Sequence, residues 1–421
     1  MSLTVDRKTG MSGTNLLQTR ISNRRAVFNA VRSKGPITRA ELAQVIGLTV
    51  PAISNIASEL EEAGLIRQEG KRAGLRGQPA VELSLDPKGG YSIGLSLAYR
   101  QVSGVVVDLT GEVIRSETIE ISERGPQATA DALANLAKRL IAASQVPADK
   151  LWGVGCSVPG TVENGTFWYD KVQEGDDWTR FHLAETLEML TGTRVYVEND
   201  ATVAAIGERL YGIGRHTRSF FYMHFNLGIG GGLVLDGLSY RGAFGGAGEI
   251  GHMIVKPGGR LCACGSRGCL EQYVSLYAAA ETICGPERTP DEVPSEEVTS
   301  ALRNGDPRLA AWVAEAAQYL RIAIRNIEAL FDPDTIILGG GLPQQLFDDL
   351  IAAANPLLPN LIHRHGNTQP RLMCAEHASQ LPALGAAALP IALVTQMHGT
   401  TLAQPIDGSS GNAALAFLGI C

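Results

Sequence analysis

Cys262, Cys264 and Cys269 stand at C-x-C-x4-C spacing, beginning ten residues after His252. Thiolates and an imidazole are the donors tetrahedral Zn2+ prefers. A Cys3His set leaves no open coordination position, so the chemistry these residues suit is a structural zinc site. Gly258, Gly259, Gly265 and Gly268 lie in the same stretch and let a short loop fold tightly enough for four donors to converge. Three of the seven cysteines fall within eight positions, a clustering that small core residues have no reason to show. A nucleic-acid finger does not fit, because it needs a second Cys or His pair and a helix beyond it.

Such a loop needs a folded body to hold it, and 421 residues suffice for two or three domains. No apolar run approaches the roughly 20 residues of a membrane helix. The opening MSLTVDRKTGMSGTNLL lacks the apolar stretch of a signal peptide. An odd number of cysteines, with a thiolate cluster among them, fits a reducing cytoplasm better than a disulfide framework. Charge divides the chain: residues 1–85 hold 12 Lys/Arg against 7 Asp/Glu, whereas the remainder holds 24 against 36. A basic head on an acidic body implies that only the head meets a polyanion.

In the head, Val27, Ala30 and Val31 give residues 22–32 an amphipathic helical pattern, closed by Gly35-Pro36. Thr38 and Glu41 form a T-x-x-E capping box for a second helix, with Leu42, Ala43 and Ile46 on one face and Gly47 at its end. Thr49 is the expected N-cap of a third helix, with Pro51 in its first turn. Ile53, Ile56, Leu60 and Ala63 follow the spacing of a buried stripe. Two helices joined by a tight glycine turn match helix-turn-helix geometry. LIRQEG and VELSLD then read as strands around a basic tip, KRAGLRGQP, which is a wing. A plain helical bundle shares the helical pattern, but not the coincidence of capping box, turn and basic wing. The third helix offers Pro51, Ser54, Asn55 and Ser58 on its outer face. Ser54 and Asn55 are placed to read base edges of double-stranded DNA, and Thr49 to meet a phosphate. Lys71, Arg72 and Arg76 on the wing are placed to meet phosphates or the minor groove.

After Pro87 the pattern turns β-rich. YSIGLSLA and QVSGVVVDL alternate as strands, TGEV turns into VIRSETIEI, residues 130–143 are helical, and LWGVGCSV is a further strand. SFFYMHFNL and GGLVLDG begin a second strand pair. VVVD at residues 105–108 half-matches LVLD at residues 233–236, a faint sign of duplicated lobes. VENDATVAA puts Asn199 and Asp200 at a strand-to-helix junction.

GEIGH followed by C-x-C-G-x-x-G-C-x-E, residues 248–271, resembles the signature of the ROK family of bacterial sugar kinases and sugar-responsive repressors. The resemblance covers residues 91–394. It implies an α/β chain: a winged helix-turn-helix, as in the family's repressors, followed by a two-lobed, actin-like (ribonuclease H-like ATPase) domain with a sugar between its lobes. The expected divisions are an arm at 1–19, the winged helix at 20–86, a first lobe at 90–200 and a second at 201–380 with the zinc loop at 251–272. A helix at 381–397 returns to the first lobe, and a tail occupies 398–421. In the family's kinases, the position of Asp200 is the general base and that of Asn199 holds neighbouring hydroxyls. Glu249, His252 and Glu271 complete the hydroxyl clamp, and Pro159-Gly160 brings backbone amides to the sugar. His252 gives one ring nitrogen to zinc and the other to the sugar. Asn-Asp also suits an N-cap before the alanine-rich helix. Arg76-Gly77-Gln78-Pro79 resembles the Arg-Gly-Pro linker of the repressors, with Gln78 where many have a second arginine.

The nucleotide side departs from the kinase pattern. The D-x-G-G-T window reads Ser96-Leu97-Ala98-Tyr99-Arg100, which lacks the Mg2+-handling acid and the glycines that admit phosphate. The G-T-G-x-G-G-G loop begins Asn226-Leu227-Gly228, missing the threonine hydroxyl, while ILGGGLP and ALGAAAL keep the general shape of the adenosine side. The expectation is a cytoplasmic, sugar-responsive regulator, a repressor that binds a palindromic operator as a homodimer or homotetramer. A sugar or sugar phosphate is its effector, structural zinc its metal, and no catalysis is expected. The alternative is an active sugar kinase with an added DNA-binding head, since the sugar-side residues are all present.

Overall fold

The computed structural model describes residues 16–72, 80–98, 101–123, 125–163, 166–168, 178, 181–285, 295–360, 369–376, 381–395 and 412–419. In the head, α1 (Leu16–Lys34), α2 (Arg39–Ile46) and α3 (Val50–Glu62) pack beside an antiparallel sheet. Its strands β1 (Ile37–Thr38), β2 (Ile66–Arg72) and β3 (Ala80–Leu85) are ordered β1-β3-β2. The capping box is complete: Glu41 N–H donates to Thr38 Oγ1 at 3.3 Å, and Thr38 N–H donates to Glu41 Oε2 at 2.8 Å. Gly47, at φ 78°, ends α2, and the chain bends by 112° into α3, which Thr49 caps. Val27, Phe28, Val31, Leu42, Ile53, Ala57, Leu60 and Leu83 are buried together in this unit. Two expectations are corrected. The first helix begins at Leu16, inside the anticipated arm. In α3 the stripe is Ile53, Ala57 and Leu60, with Ile56 and Ala63 only half-buried at its edge. The i, i+4, i+7 row follows 3.6 residues per turn and faces the core squarely.

The body, residues 87–409, is a separate compact unit. In chain order it runs β4 (Tyr91–Ala98), β5 (Gln101–Asp108), β6 (Val113–Glu120), α4 (Pro126–Ser144), β7 (Leu151–Val158), β8 (Thr161–Glu163), β9 (Thr166–Trp168), α5 (Leu183–Thr191), β10 (Val195–Asn199) and α6 (Asp200–Leu210). It continues with β11 (Phe220–Phe225), β12 (Ile229–Leu235), β13 (Leu238–Tyr240), α7 (Glu271–Val274), α8 (Leu276–Cys284), α9 (Ser295–Arg303), α10 (Pro307–Phe331), β14 (Thr335–Gly340), α11 (Gln344–Ala354), β15 (Leu372–Cys374) and α12 (Leu381–Thr395). Its two five-stranded sheets share one topology, β6-β5-β4-β7-β10 and β13-β12-β11-β14-β15. In each, three antiparallel strands are followed by two parallel ones. The half-matching VVVD and LVLD close the equivalent second strands, β5 and β12, so the faint repeat in sequence is a repeat in structure.

The helix α4 covers one face of the first sheet, burying Ala130, Leu133, Ala137 and Leu140 with Ile93, Leu95 and Val154. On its other side α12 lies almost in backbone contact. A Cβ on Gly94 would sit 1.8 Å from the Ala383 carbonyl oxygen, and one on Gly155 1.8 Å from that of Ala386. Only glycine permits that approach. The same α12 packs against α6 through Leu389 and Val203.

The last described helix, α13 (Ala413–Phe417), groups with the head. Arg25 of α1 donates to the carbonyls of Leu418 (2.7 Å) and Gly419 (2.9 Å), and the Arg24 guanidinium lies 3.9 Å above the Phe417 ring. These arginines satisfy helix-end carbonyls that α13 cannot satisfy itself. The described part of the anticipated tail is therefore a piece of the head. Among the described residues no single helix is long and apolar enough to cross a membrane.

Candidate functional site

The outward face of α3 presents Pro51, Asn55 and Ser58 exposed, Ser54 half-buried, and Thr49 exposed at its start. Thr49 Oγ1 accepts the Ala52 N–H at 3.4 Å, so the residue expected at a phosphate is also the cap. Two of the three acids of α3, Glu59 and Glu61, are held by cations elsewhere in the head. Glu59 pairs with Arg20 and with Arg24 (2.7 Å), and Glu61 pairs with Arg39 (2.8 Å) and accepts from Gln68 of β2 (3.1 Å). Those pairs mask charges that would repel phosphate and fix α3 on its neighbours. Lys71 and Arg72 end β2, the ascending strand of the wing. Arg76 and the rest of the wing tip lie outside the described residues.

In the body, β12 begins with a glycine run that two other segments approach closely. A Cβ on Gly230 would lie 2.9 Å from that of Ala201 on α6. One on Gly251 would lie 2.2 Å from the Ile229 carbonyl oxygen, and one on Gly248 1.9 Å from that of Gly231. The run sits in a strand paired with β11 and serves this packing. Its two neighbours bring the start of α6 and the segment GEIGH to either side of one strand.

On the α6 side the N-cap is Asn199, not Asp200: Asn199 Oδ1 accepts from Thr202 N–H at 3.0 Å. Its Nδ2 donates to the Gly160 carbonyl (2.8 Å) and reaches Asp200 Oδ1 (3.2 Å). Asp200 Oδ1 also accepts the Ala201 N–H at 2.8 Å, leaving Oδ2 to face His224 Nε2 at 3.7 Å. His224, on β11, is fully buried, and burial lowers its pKa below the usual imidazole value against the pull of Asp200. A neutral imidazole therefore stands behind the carboxylate. Nothing in the residue pattern marked His224, because a lone histidine in an apolar strand carries no spacing signal.

On the other side the four metal-ligand candidates converge. The donor atoms of His252, Cys262, Cys264 and Cys269 all lie within 4.8 Å of one another. Cys264 and Cys269 sulfurs are 3.6 Å apart, and Cys262 Sγ is 3.5 Å from His252 Nδ1. Tetrahedral Zn2+ with bonds of about 2.3 Å to sulfur sets neighbouring donors at roughly 3.5–3.8 Å, so the donor set fits the ion. His252 Nδ1 faces the cysteines, while Nε2 points to Glu249 Oε2 at 4.0 Å. Glu271 is buried at the edge of the cluster, with Oε1 3.0 Å from Cys262 Sγ and 3.8 Å from His252 Nδ1. Burial and the neighbouring Glu271 push the Cys262 thiol up, whereas hydrogen bonding to Ser266 draws Cys264 down to about 6.

A third group ties these walls together. Arg241, just past β13, places Nε 2.8 Å from Glu198 Oε2 and donates from Nη2 to the Val162 carbonyl at 3.3 Å. Sequence reasoning missed both members of this pair, whose partners lie far apart in the chain.

The phosphate side is laid out differently from the ligand side. Ser96 sits within β4 opposite Ser103, while Tyr99 and Arg100 lie outside the described residues. Asn226 and Leu227 give their carbonyls to the N–H groups of Leu276 (3.1 Å) and Tyr277 (3.3 Å), which fastens that loop to the start of α8.

A family profile described as "ROK family" matches residues 92–392, and one described as "Crp-like helix-turn-helix domain" matches residues 16–76. The chain is 26% identical over 374 residues to a xylose repressor of Bacillus spizizenii, covering 88% of this chain and 94% of that one. It is 31% identical over 273 residues to a glucokinase of Streptomyces coelicolor, covering 61% of this chain and 83% of the glucokinase. Among solved structures, a transcriptional regulator described as a homolog of the E. coli MLC protein matches with a TM-score of 0.69. It is 26% identical, with 89% of this chain and 97% of that one covered.

Proposed function

The chain belongs to the ROK family, and we propose that it is a sugar-responsive transcriptional regulator, a repressor of carbohydrate-utilisation genes. One observation carries the reading. A helix-turn-helix with Glu59 and Glu61 paired to arginines and a polar face turned outward is joined to a body that keeps the family's sugar-side residues while its first phosphate motif lacks its acid. A regulator of this kind acts in the cytoplasm, where the chromosome is.

Asn55 and Ser54 read base edges, and Thr49 and the wing cations Lys71, Arg72 and Arg76 meet the phosphates of an operator bound by a homodimer or homotetramer. Zn2+ held by His252, Cys262, Cys264 and Cys269 is structural. Bound there, it would fix the ring of His252 through Nδ1, leaving Nε2 toward the ligand. Asp200 accepts a hydrogen bond from a sugar hydroxyl. Its Oδ1 already accepts the Ala201 amide, so Oδ2, 3.7 Å from His224 Nε2, is the acceptor left for the hydroxyl, and Glu249 and Glu271 beside His252 complete the clamp. Asn199 spends both ends of its amide on the cap and on Gly160, so it shapes the site more than it holds a hydroxyl. The effector acts by binding one state of the molecule more tightly than the other.

The kinase reading rests on the presence of Asp200 with the rest of the sugar-side set. Positioning MgATP supplies most of phosphoryl-transfer catalysis, and Ser96 stands where its metal-handling acid is needed. A coupled assay with ATP and a panel of monosaccharides decides between the two readings. Turnover of about one per second or more places the protein among the kinases, and none is expected.

A further inference from the structure

We propose that Arg241 is a positioning residue of the effector cleft, registering the loop that carries Glu249 against the wall that carries Asn199 and Asp200. The inference rests on the cleft assignment above and assigns a role to a pair that makes no contact with metal or operator in it.

The guanidinium touches two segments at once. Nε lies 2.8 Å from Glu198 Oε2, Nη2 lies 3.5 Å from Glu198 Oε1, and the same nitrogen donates to Val162 of β8 at 3.3 Å. Glu198 is almost wholly buried, and its Oε1 accepts the backbone N–H of Asn199 at 2.8 Å. The carboxylate thus holds the residue that caps α6 and grips Gly160. On the other side, the Ala247 N–H closes onto the Arg241 carbonyl at 3.1 Å. A Cβ on Gly245 would lie 2.6 Å from the Val162 carbonyl oxygen, so this loop presses on β8. Two residues past Ala247 stands Glu249. A short path therefore runs from Asp200 through Asn199, Glu198 and Arg241 to Glu249, without passing through the metal loop.

A buried ion pair is a costly way to hold two segments together, because an apolar pair of similar volume is often as stable. What the guanidinium adds is reach and direction: Nη2 donates to the Val162 carbonyl and to Glu198 Oε1 while Nε lies in ion-pair contact with Glu198 Oε2. The role is therefore tested by separating registry from stability. In the double variant Glu198→Gln with Arg241→Met, no charge is stranded and the glutamine oxygen still accepts the Asn199 N–H. Calorimetry on the full-length, metal-loaded protein with D-glucose, D-xylose and N-acetyl-D-glucosamine supplies the readout.

The double variant is expected to keep its melting temperature, metal content and operator binding, and to bind sugar about tenfold or more weakly, as when a charge-assisted hydrogen bond is misplaced. Arg241→Lys keeps the charge but not the fork, and an intermediate loss is expected of it. Wild-type affinity in the Lys variant, or in a stable double variant, overturns the positioning role. A double variant that melts early leaves the decision to the Lys variant. Asp200→Ala is the reference. If it binds sugar normally, or if none of the three sugars binds the wild-type protein, the cleft assignment falls and this inference with it. If Asp200→Ala loses binding while both Arg241 variants keep it, only the inference falls.

Discussion

The outward face of the head comes from a single helix, residues 50–62, set by a cap at Thr49 and a glycine turn two residues earlier. The cleft instead draws on segments spread between residues 159 and 271, joined by contacts such as Asn199 to Gly160 and Arg241 to Glu198. The two regions should therefore fail differently. Removing a side chain from the helix face deletes one contact and leaves its neighbours in place, since the helix is held from behind by Glu59 and Glu61. Removing a linking residue from the body displaces several ligand groups together. The His/Cys loop is the extreme case, because four donors within 4.8 Å of one another would share any bound ion and the loss of one would disorganise all.

The largest effect should follow Cys262→Ser. Elemental analysis is expected to show metal falling from stoichiometric to near none, and sugar binding lost with it, since binding energy at a structural site is folding energy. Retained metal and sugar affinity would mean the loop is not what organises His252. The same site has a pH signature. The Cys262 thiol is pushed up by burial and by Glu271, so metal uptake must displace its proton, and affinity should rise with pH in a competition titration. A flat profile would contradict a thiolate ligand there.

Next comes Asp200→Ala, expected to preserve operator affinity and abolish the response to effector in a DNA-binding assay. An unchanged response would remove the cleft from this side of the comparison. Asn55→Ala should cost about 1–3 kcal/mol of operator binding and relax preference at one base position, with sugar affinity untouched. The smallest change is expected of Arg76→Ala, a uniform weakening across DNA sequences with the slope of log K against log salt reduced by about one. A base-specific effect from Arg76 would place the wing in direct readout and narrow the difference between helix face and wing.

In the head the residue pattern alone determined the local devices: the capping box, the Gly47 turn, the Thr49 cap and the wing strands all appear in the structure as read. Each is a local device whose partners lie within a few residues, so spacing carries the information. The convergence of His252, Cys262, Cys264 and Cys269 was legible for the same reason, the four being packed into one loop. Tertiary structure decided the rest. That Asn199 grips Gly160, that buried His224 stands behind Asp200, and that Arg241 finds Glu198 depend on contacts between segments distant in the chain. So does the placement of α13 on α1, almost four hundred residues away. A single arginine, histidine or glutamate carries no periodicity to announce its partner. Only the closing of two like sheets, with glycines where α12 and GEIGH press against backbone, brings such residues within bonding distance.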